Sequence, residues 1–461
     1  MNRVLKRVAL LAFGAAVLGA PLLMAAAAYA KPAVLTADQM LAFGQAALLR
    51  GFGDQALAIA NALLQRNPAD SPAYALKAQA LRLLQRLPES EAAAHAAWDH
   101  AKDAPQRYQA ATVLAQALSL QGHRTMAQFW LRQAVQNAPN GAAQTQALQD
   151  FAYVRSQNPL SLQVDASIRP SDNVNGGARD PLFEFLGIPF ILSGDALALS
   201  GLSWGAGVQG RYTLKESDTA ATRLTFAGSE QGVILSDAAR AQAPFARNGD
   251  YALGHVEVGV EHEDTLQPGP SASTLTSSFT AGHSWYGGRD LSNSLSLAAD
   301  LTLPVGASRA TLSASLTRQN RLDRSVSSSN EAELGAELVQ SGPKGDRWQE
   351  GLSVRRVVSD DIGIDHAEAT LSLDWQARHA VAGLSFGAGL SVRGADYGRS
   401  IYARGGRQDV RWGASLQATV NQITYLGFSP VVSLEFARNN STISLYDTQT
   451  VGIGLSVRSR F

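Results

Sequence analysis

The stretch from Thr450 to Phe461 constrains the fold more than any other. Val451, Ile453, Leu455 and Val457 alternate with Gly452, Gly454, Ser456 and Arg458, and the sequence stops on an aromatic, Phe461. This is a period-two strand, apolar on one face and small or charged on the other. A transmembrane β-barrel puts such a strand at its C-terminus, because the last strand must pair with the first to leave no open edge in lipid. Phe461 is therefore expected to mark the closing strand, with the upstream chain supplying the others.

The chain from Pro159 onward meets that expectation, since Gly, Ser, Thr and Val dominate it in short alternating runs. About fourteen candidate strands lie at roughly 160–169, 203–215, 220–229, 250–263, 274–286, 292–303, 307–319, 330–341, 347–358, 366–377, 381–394, 408–421, 427–438 and 450–461. Each reaches or exceeds the roughly 9–11 residues that a tilted strand needs to cross a bilayer. Val256, Val258 and Val260 oppose Glu257, Gly259 and Glu261, and Leu371, Leu373 and Trp375 oppose Thr370, Ser372 and Asp374. The connections alternate between short and long, as periplasmic turns and outer loops do. Two break the alternation: Asp264–Ser273 is long for a turn, and Tyr286–Leu291 is short for a loop. Aromatics such as Trp204, Tyr212, Trp285, Trp348, Trp375 and Trp412 fall near strand ends, as an interfacial girdle requires.

Before Pro159, Ala, Leu and Gln dominate, and helical hairpins recur. Pro68, Pro105 and Pro139 each close a unit, at spacings near the 34 residues of a tetratricopeptide repeat. Gly44, Ala56 and Pro68 in the first unit are matched by Ala115, Ala127 and Pro139 in the third. Small residues at such sites let two helices approach closely, and each hairpin buries its apolar face against the next. The middle unit, 71–103, reads as irregular, its second helix displaced by about two residues. The fold class is thus an N-terminal all-α tetratricopeptide-like solenoid over 31–158, followed by an antiparallel transmembrane β-barrel of about fourteen strands over 159–461.

Residues 1–30 read as a secretory signal peptide. Arg3, Lys6 and Arg7 precede an apolar run, and Ala28-Tyr29-Ala30 offers cleavage between Ala30 and Lys31. The destination expected is the outer membrane, with the helical domain in the periplasm. The sequence has no cysteine, which excludes disulfides, thiolate metal sites and thiol nucleophiles. A formal net charge of zero gives no electrostatic case for nucleic acid.

The inward strand faces are expected to carry Arg211, Glu257, Glu261, Asp300, Arg309, Glu333, Glu337, Arg393 and Arg411, with Glu368, Asp374, Glu435 and Arg458 beside them. These line a conduit or, equally, form cross-strand ion pairs that stiffen the wall. The segment after the first strand holds Asp172, Asn173 and Asn175, then the apolar residues Phe183, Phe185 and Phe190. So apolar a stretch is expected to fold into the lumen as a plug or to pack on the rim. No phosphate-cradling glycine loop or H-E-x-x-H element is present. No His and Ser stand two residues apart on one strand as a nucleophile–base pair. The chain is accordingly expected to be no enzyme and to need no cofactor or metal.

Asp172-Asn173-Val174-Asn175, Arg438-Asn439-Asn440-Ser441, Tyr446-Asp447 and Val451-Gly452-Ile453-Gly454-Leu455 before Phe461 resemble the surface lipoprotein assembly modulator (Slam) family. That family joins a periplasmic tetratricopeptide domain to a barrel of fourteen strands. The resemblance implies an outer-membrane factor that helps deliver lipoproteins or other proteins to the cell surface. The helical domain would be the receptor and a monomeric barrel the conduit, with outer-membrane lipid and an exported protein or lipoprotein as partners. The alternative is a polysaccharide or solute export porin with a helical adaptor. Sugar channels favour stacked aromatics and one sign of charge, whereas the inward set here carries both signs and almost no aromatics.

Overall fold

A computed structural model describes residues 35–185, 188–267, 269 and 272–459. The expected signal peptide 1–30 with its Ala30–Lys31 junction, and the terminal Phe461, lie outside the described residues, as do Leu186 and Gly187 of the apolar segment.

Seven helices come first: α1 (Ala37–Leu49), α2 (Gly53–Arg66), α3 (Ser71–Leu83), α4 (Leu87–Asp99), α5 (Ala104–Leu120), α6 (Arg124–Gln136) and α7 (Gly141–Gln157). Asp70, Asp103 and Asn140 cap α3, α5 and α7, each side chain accepting a backbone N–H that the first helical turn leaves unpaired. The middle hairpin is not displaced. Its two helices start sixteen residues apart, as do those of the first hairpin. Ser90 fills the position of Ala56 and Ala127; it is fully buried, and its hydroxyl donates to the Ala78 carbonyl at 2.7 Å. A small residue with a satisfied hydroxyl does the work of alanine there. The departure lies in the third hairpin instead, where α5 runs to 17 residues.

The strands follow: β1 (Leu160–Ser171), β2 (Leu182–Phe185), β3 (Ile188–Ile191), β4 (Gly201–Glu216), β5 (Ala220–Leu235), β6 (Leu253–Gln267), β7 (Ser273–Tyr286), β8 (Arg289–Val305), β9 (Ser308–Arg321), β10 (Ser329–Ser341), β11 (Arg347–Ser359), β12 (His366–Gln376), β13 (Leu384–Tyr397), β14 (Arg407–Val420), β15 (Phe428–Ser441) and β16 (Thr448–Ser459). Fourteen of them form one closed antiparallel barrel in chain order, with β1 lying between β4 and β16; β2 and β3 are a separate hairpin. The two awkward connections resolve locally. β6 runs on to Gln267 through a bulge, which shortens the link to Ser273. β7 and β8 are joined by Gly287-Gly288, both at positive φ, a tight hairpin turn that side chains disfavour.

One face of every barrel strand is apolar and exposed, for example Leu162 and Val164, Val256 and Val258, Leu312 and Leu316, Ile453 and Leu455. The other carries Ser, Thr, Gly, Gln and charge. In a closed barrel that partition defines a lipid-facing exterior and a polar lumen. The helical domain sits at the end where the short turns lie, called here the near end; the long loops gather at the far end.

Candidate functional site: the polar lumen and its near-end mouth

All nine lumen candidates lie on the polar strand faces. Three of them meet at the near-end mouth. Arg211, Glu261 and Asp300 line a cavity of about 650 Å³ together with Arg223, Glu263, Ser161 and four threonines, and Asn158 and Pro159 at the exit of the helical domain complete its wall. Register explains the meeting, because Arg223 stands directly opposite Glu261 across β5 and β6. The Arg223 guanidinium lies 3.0 Å from both Glu261 and Glu263, and Arg211 lies 3.4 Å from Glu261. Glu261 is only 8% exposed, so two arginines compensate a largely buried carboxylate. Arg223 was not among the candidates; its partners sit on the next strand, invisible until the register is known.

The remaining candidates are spread along the lumen. Arg393 lies 3.4 Å from Glu368, whose carboxylate also meets Arg355 at 2.7 Å and His366 at 3.5 Å. Glu333 stands opposite Arg355 in the register. Glu337 accepts from Gln349 at 2.9 Å, and Glu257 lies 3.9 Å from His255. Arg411 stands opposite Arg393, two like charges side by side. Arg309 faces Val339 in the ladder, away from this group.

Strand order sorts the charges. Glu257, Glu261, Asp300, Glu333, Glu337, Glu368 and Asp374 fall on β6, β8, β10 and β12, while Arg393, Arg411, Arg458, Arg169 and Arg211 fall on β13, β14, β16, β1 and β4. Acids outnumber bases on the first arc and bases outnumber acids on the arc completing the circle, with Arg223, Arg309 and Arg355 interspersed in the first and Asp165, Asp409 and Glu435 in the second. The lumen wall thus presents both signs of charge around its circumference.

The described residues of the segment 172–200 lie at the far end. Asn173 and Asn175 hold it by side-chain bonds: Asn173 donates to the carbonyls of Gly177 and Gln449, and Asn175 to those of Asp195 and Leu197. Asp172 accepts from the Val451 N–H at 2.8 Å. Phe183, Phe185 and Phe190 cluster on β2 and β3, and the first two meet Tyr402 edge-on at 5.2 and 5.8 Å. Tyr402 and its neighbour Tyr446 belong to far-end loops, and Ser444 bonds the Leu182 carbonyl. The apolar hairpin thus meets the far-rim loops through Phe183, which is buried, and Phe185, whereas Leu182, Ile188, Phe190 and Ile191 are exposed. Arg407, sandwiched between Tyr397 and Tyr446 at 3.5 and 3.7 Å from their ring centres, extends the cluster.

At the near end α6 lies along the rim. Arg132 donates to the Leu426 carbonyl at 2.9 Å and to Ser459 Oγ at 3.1 Å, and its guanidinium covers the rings of Phe151 and Phe428. Gln136 accepts from the Leu426 N–H, and Asn158 donates to Thr125. Burial in this contact lowers the pKa of Arg132, and nearby Arg155 lowers it further.

A serine–histidine contact does arise, across strands rather than along one. Ser284 Oγ lies 3.0 Å from His255 Nδ1, but Glu257 is 3.9 Å from the other ring nitrogen, beyond the hydrogen bond that would orient a catalytic base. Among the described residues no group of His, Asp and Glu is placed to hold a metal ion.

The architecture defines a class: a transmembrane β-barrel of fourteen strands carrying a tetratricopeptide-like helical domain at its near end. No protein-family model matches the chain, and no curated protein matches it. Among solved structures, the helical part is similar to the TPR2B-domain:pHsp70 complex of yeast Sti1, at 21% identity and a TM-score of 0.25, over 26% of this chain and 98% of that one. The barrel is similar to a bacterial polysaccharide outer membrane secretin, at 11% identity and a TM-score of 0.33, over 65% and 98%. It is also similar to OprB of Pseudomonas putida, at 8% identity and a TM-score of 0.37, over 68% and 96%.

Proposed function

We propose that this chain is an outer-membrane translocation factor that carries proteins to the cell surface, lipoproteins in the reading that the Slam resemblance implies. The helical domain acts as a periplasmic receptor and the barrel as the conduit, without enzymatic chemistry. The observation that carries the reading is the joint between the two. The helical domain is fastened to the barrel rim through Arg132 and Gln136, and its last residues form part of the wall of the charged near-end mouth. A substrate released from the helices enters a lumen lined by serine, threonine, glycine and both signs of charge. Such a lining suits a polypeptide of mixed side chains, whereas a sugar polymer is guided by stacking on aromatic rings.

The test is deletion of the gene followed by protease shaving of intact cells. A set of surface proteins disappears from the shaved fraction while exopolysaccharide is unchanged. Loss of exopolysaccharide with an intact surface proteome overturns the reading in favour of polymer export.

A further inference from the structure

On the outer wall of β7 to β10 the apolar face ends in a polar cluster. β9 begins at Ser308 at the near end, and by Arg318 it has climbed about 26 Å, at about 3.4 Å per residue and a tilt of about 40°. The outward residues below Arg318 are Ala310, Leu312, Ala314 and Leu316. The apolar belt of a barrel is about 25 Å tall, so Arg318 stands where hydrocarbon gives way to lipid headgroups. The register places Leu295 of β8 and Asn330 of β10 on either side of it. Asn320 follows on the same face, with Asn293 of β8 beside it and His283 of β7 beside Asn293.

Other arginines at this end are neutralised. Arg321 meets Asp323, two residues on, at 2.8 and 2.7 Å, and the outward Arg356 of β11 meets Asp365 at 2.6 Å. Arg318 also bonds the residue two positions on, but that residue is an amide. Its Nε donates to Asn320 Oδ1 at 2.9 Å and its Nη1 to Asn330 Oδ1 at 3.2 Å. Neither cross-strand neighbour is acidic, so the guanidinium keeps its full charge. Asn293 Oδ1 lies 2.8 Å from His283 Nδ1, and Asp290, at the edge of the cluster, lies 3.2 Å from the other ring nitrogen. All three amide oxygens are thereby engaged. Among the described residues, the three amide NH2 groups and Arg318 Nη2 have no hydrogen-bond partner. The cluster therefore offers donors and an uncompensated positive charge.

We propose that this cluster binds the phosphate headgroup of a membrane lipid in the leaflet at the far end, with the acyl chains lying along Leu295, Leu297, Leu312 and Leu316. Three features select such a ligand. A lone charge against hydrocarbon is unfavourable, and an anion at the same depth compensates it. A guanidinium fork flanked by amide donors suits the several oxygens of a phosphate, to which its bonds are charge-assisted. The exposed leucines directly beneath call for an apolar tail, which a free anion lacks. The site is independent of the cargo that the barrel carries.

The full chain, purified in dodecyl maltoside with a photocrosslinker at Leu295, is titrated with diphosphoryl lipid A and with its dephosphorylated form. Leu295 faces Arg318 across the ladder, so the adduct reports this site alone. The diphosphoryl lipid half-saturates the adduct at a concentration at least about tenfold lower than the dephosphorylated one. Arg318→Ala, and the isosteric Asn330→Asp, which sets a carboxylate against the guanidinium, each raise that concentration about tenfold. Arg356→Ala, which removes a neutralised arginine of the same wall, leaves it unchanged. Assembly of each variant is read from heat-shifted migration on gels, and Asn330→Asp, which keeps the side chain's shape, carries the test if Arg318→Ala does not assemble. Equal half-saturation by the two lipids overturns the proposal, leaving a shell of acyl chains without headgroup recognition. So do folded variants that titrate like the wild type, or an equal shift in Arg356→Ala. Displacement of the lipid by millimolar inorganic phosphate also overturns it, because the site then serves a free anion.

Discussion

At the scale of single residues, two positions make sharp predictions. Gln85 turns the middle hairpin at φ 60°, where the first and third hairpins use Gly51 at 79° and Gly122 at 84°. A side chain in that left-handed conformation is strained, and only part of the relief on mutation is offset by the extra freedom of glycine in the unfolded chain. Gln85→Gly is expected to stabilise the helical domain by about 0.5–1 kcal/mol, read as a higher midpoint in the thermal loss of its helical circular dichroism. Asp346 is the second. It accepts from the Arg378 N–H at 3.1 Å and Trp375 Nε1 at 3.2 Å, joining two near-end turns, and these bonds hold its pKa below the ordinary carboxylate value. A depressed carboxylate contributes stability above its unfolded pKa and loses it as pH falls through the folded one. Amide exchange at Arg378 should thus stay slow down through the ordinary carboxylate range and accelerate only below it; Asp346→Asn should weaken that pH dependence. Neither residue was legible in advance. Gln85 looks like any polar turn residue, and the partners of Asp346 lie two strands away. Ser90 stands where the other hairpins carry alanine, and its packing role is visible only with the Ala78 carbonyl that receives its hydroxyl in view.

At the scale of elements, the strands were largely legible because lipid and lumen impose opposite chemistries on alternate residues, and that contrast survives in sequence. What alternation could not supply was extent. β5 runs to Leu235 and β8 begins at Arg289, beyond the expected windows, because the period fades above the apolar belt: both faces are apolar along Val233-Ile234-Leu235, where Val233 and Leu235 pack under far-end loops, and Arg289-Asp290 are both polar. Charge segregation was hidden too, since β4 and β13 become members of one arc only when the circle closes. The docking of α6 belongs to this scale. Arg132 contributes two hydrogen bonds and the contact with the Phe428 ring to the joint, and packs on Phe151 of its own domain. Arg132→Ala should weaken the attachment by roughly 2 kcal/mol while leaving both domains folded. Faster amide exchange at Leu426, with unchanged exchange in the core of α5, is the expected result; uniform loosening of α5 as well would make Arg132 a determinant of the helical fold instead.

At the scale of the molecule, the two halves are held by different physics. The solenoid buries Leu76, Leu81, Leu114 and a file of alanines between stacked helices. The barrel buries little and depends on a closed ladder in lipid, where each unpaired backbone group is costly. Nothing in that ladder from β4 round to β16 requires a helix. Excising 31–158 should therefore leave a barrel that still migrates as a folded, heat-sensitive species in detergent. The surface proteins lost in the deletion strain should nonetheless stay missing, because the mouth loses both its receptor and the Asn158–Pro159 part of its wall. Supplying 31–158 as a separate polypeptide should restore little, since the Asn158–Pro159 linkage that places it at the rim is gone and the side-chain anchors alone must hold it. If the truncated barrel instead exports as well as the whole chain, the helices are a spacer and substrate selection resides in the lumen, where Arg211→Ala and Glu261→Gln at the mouth become the variants that decide it.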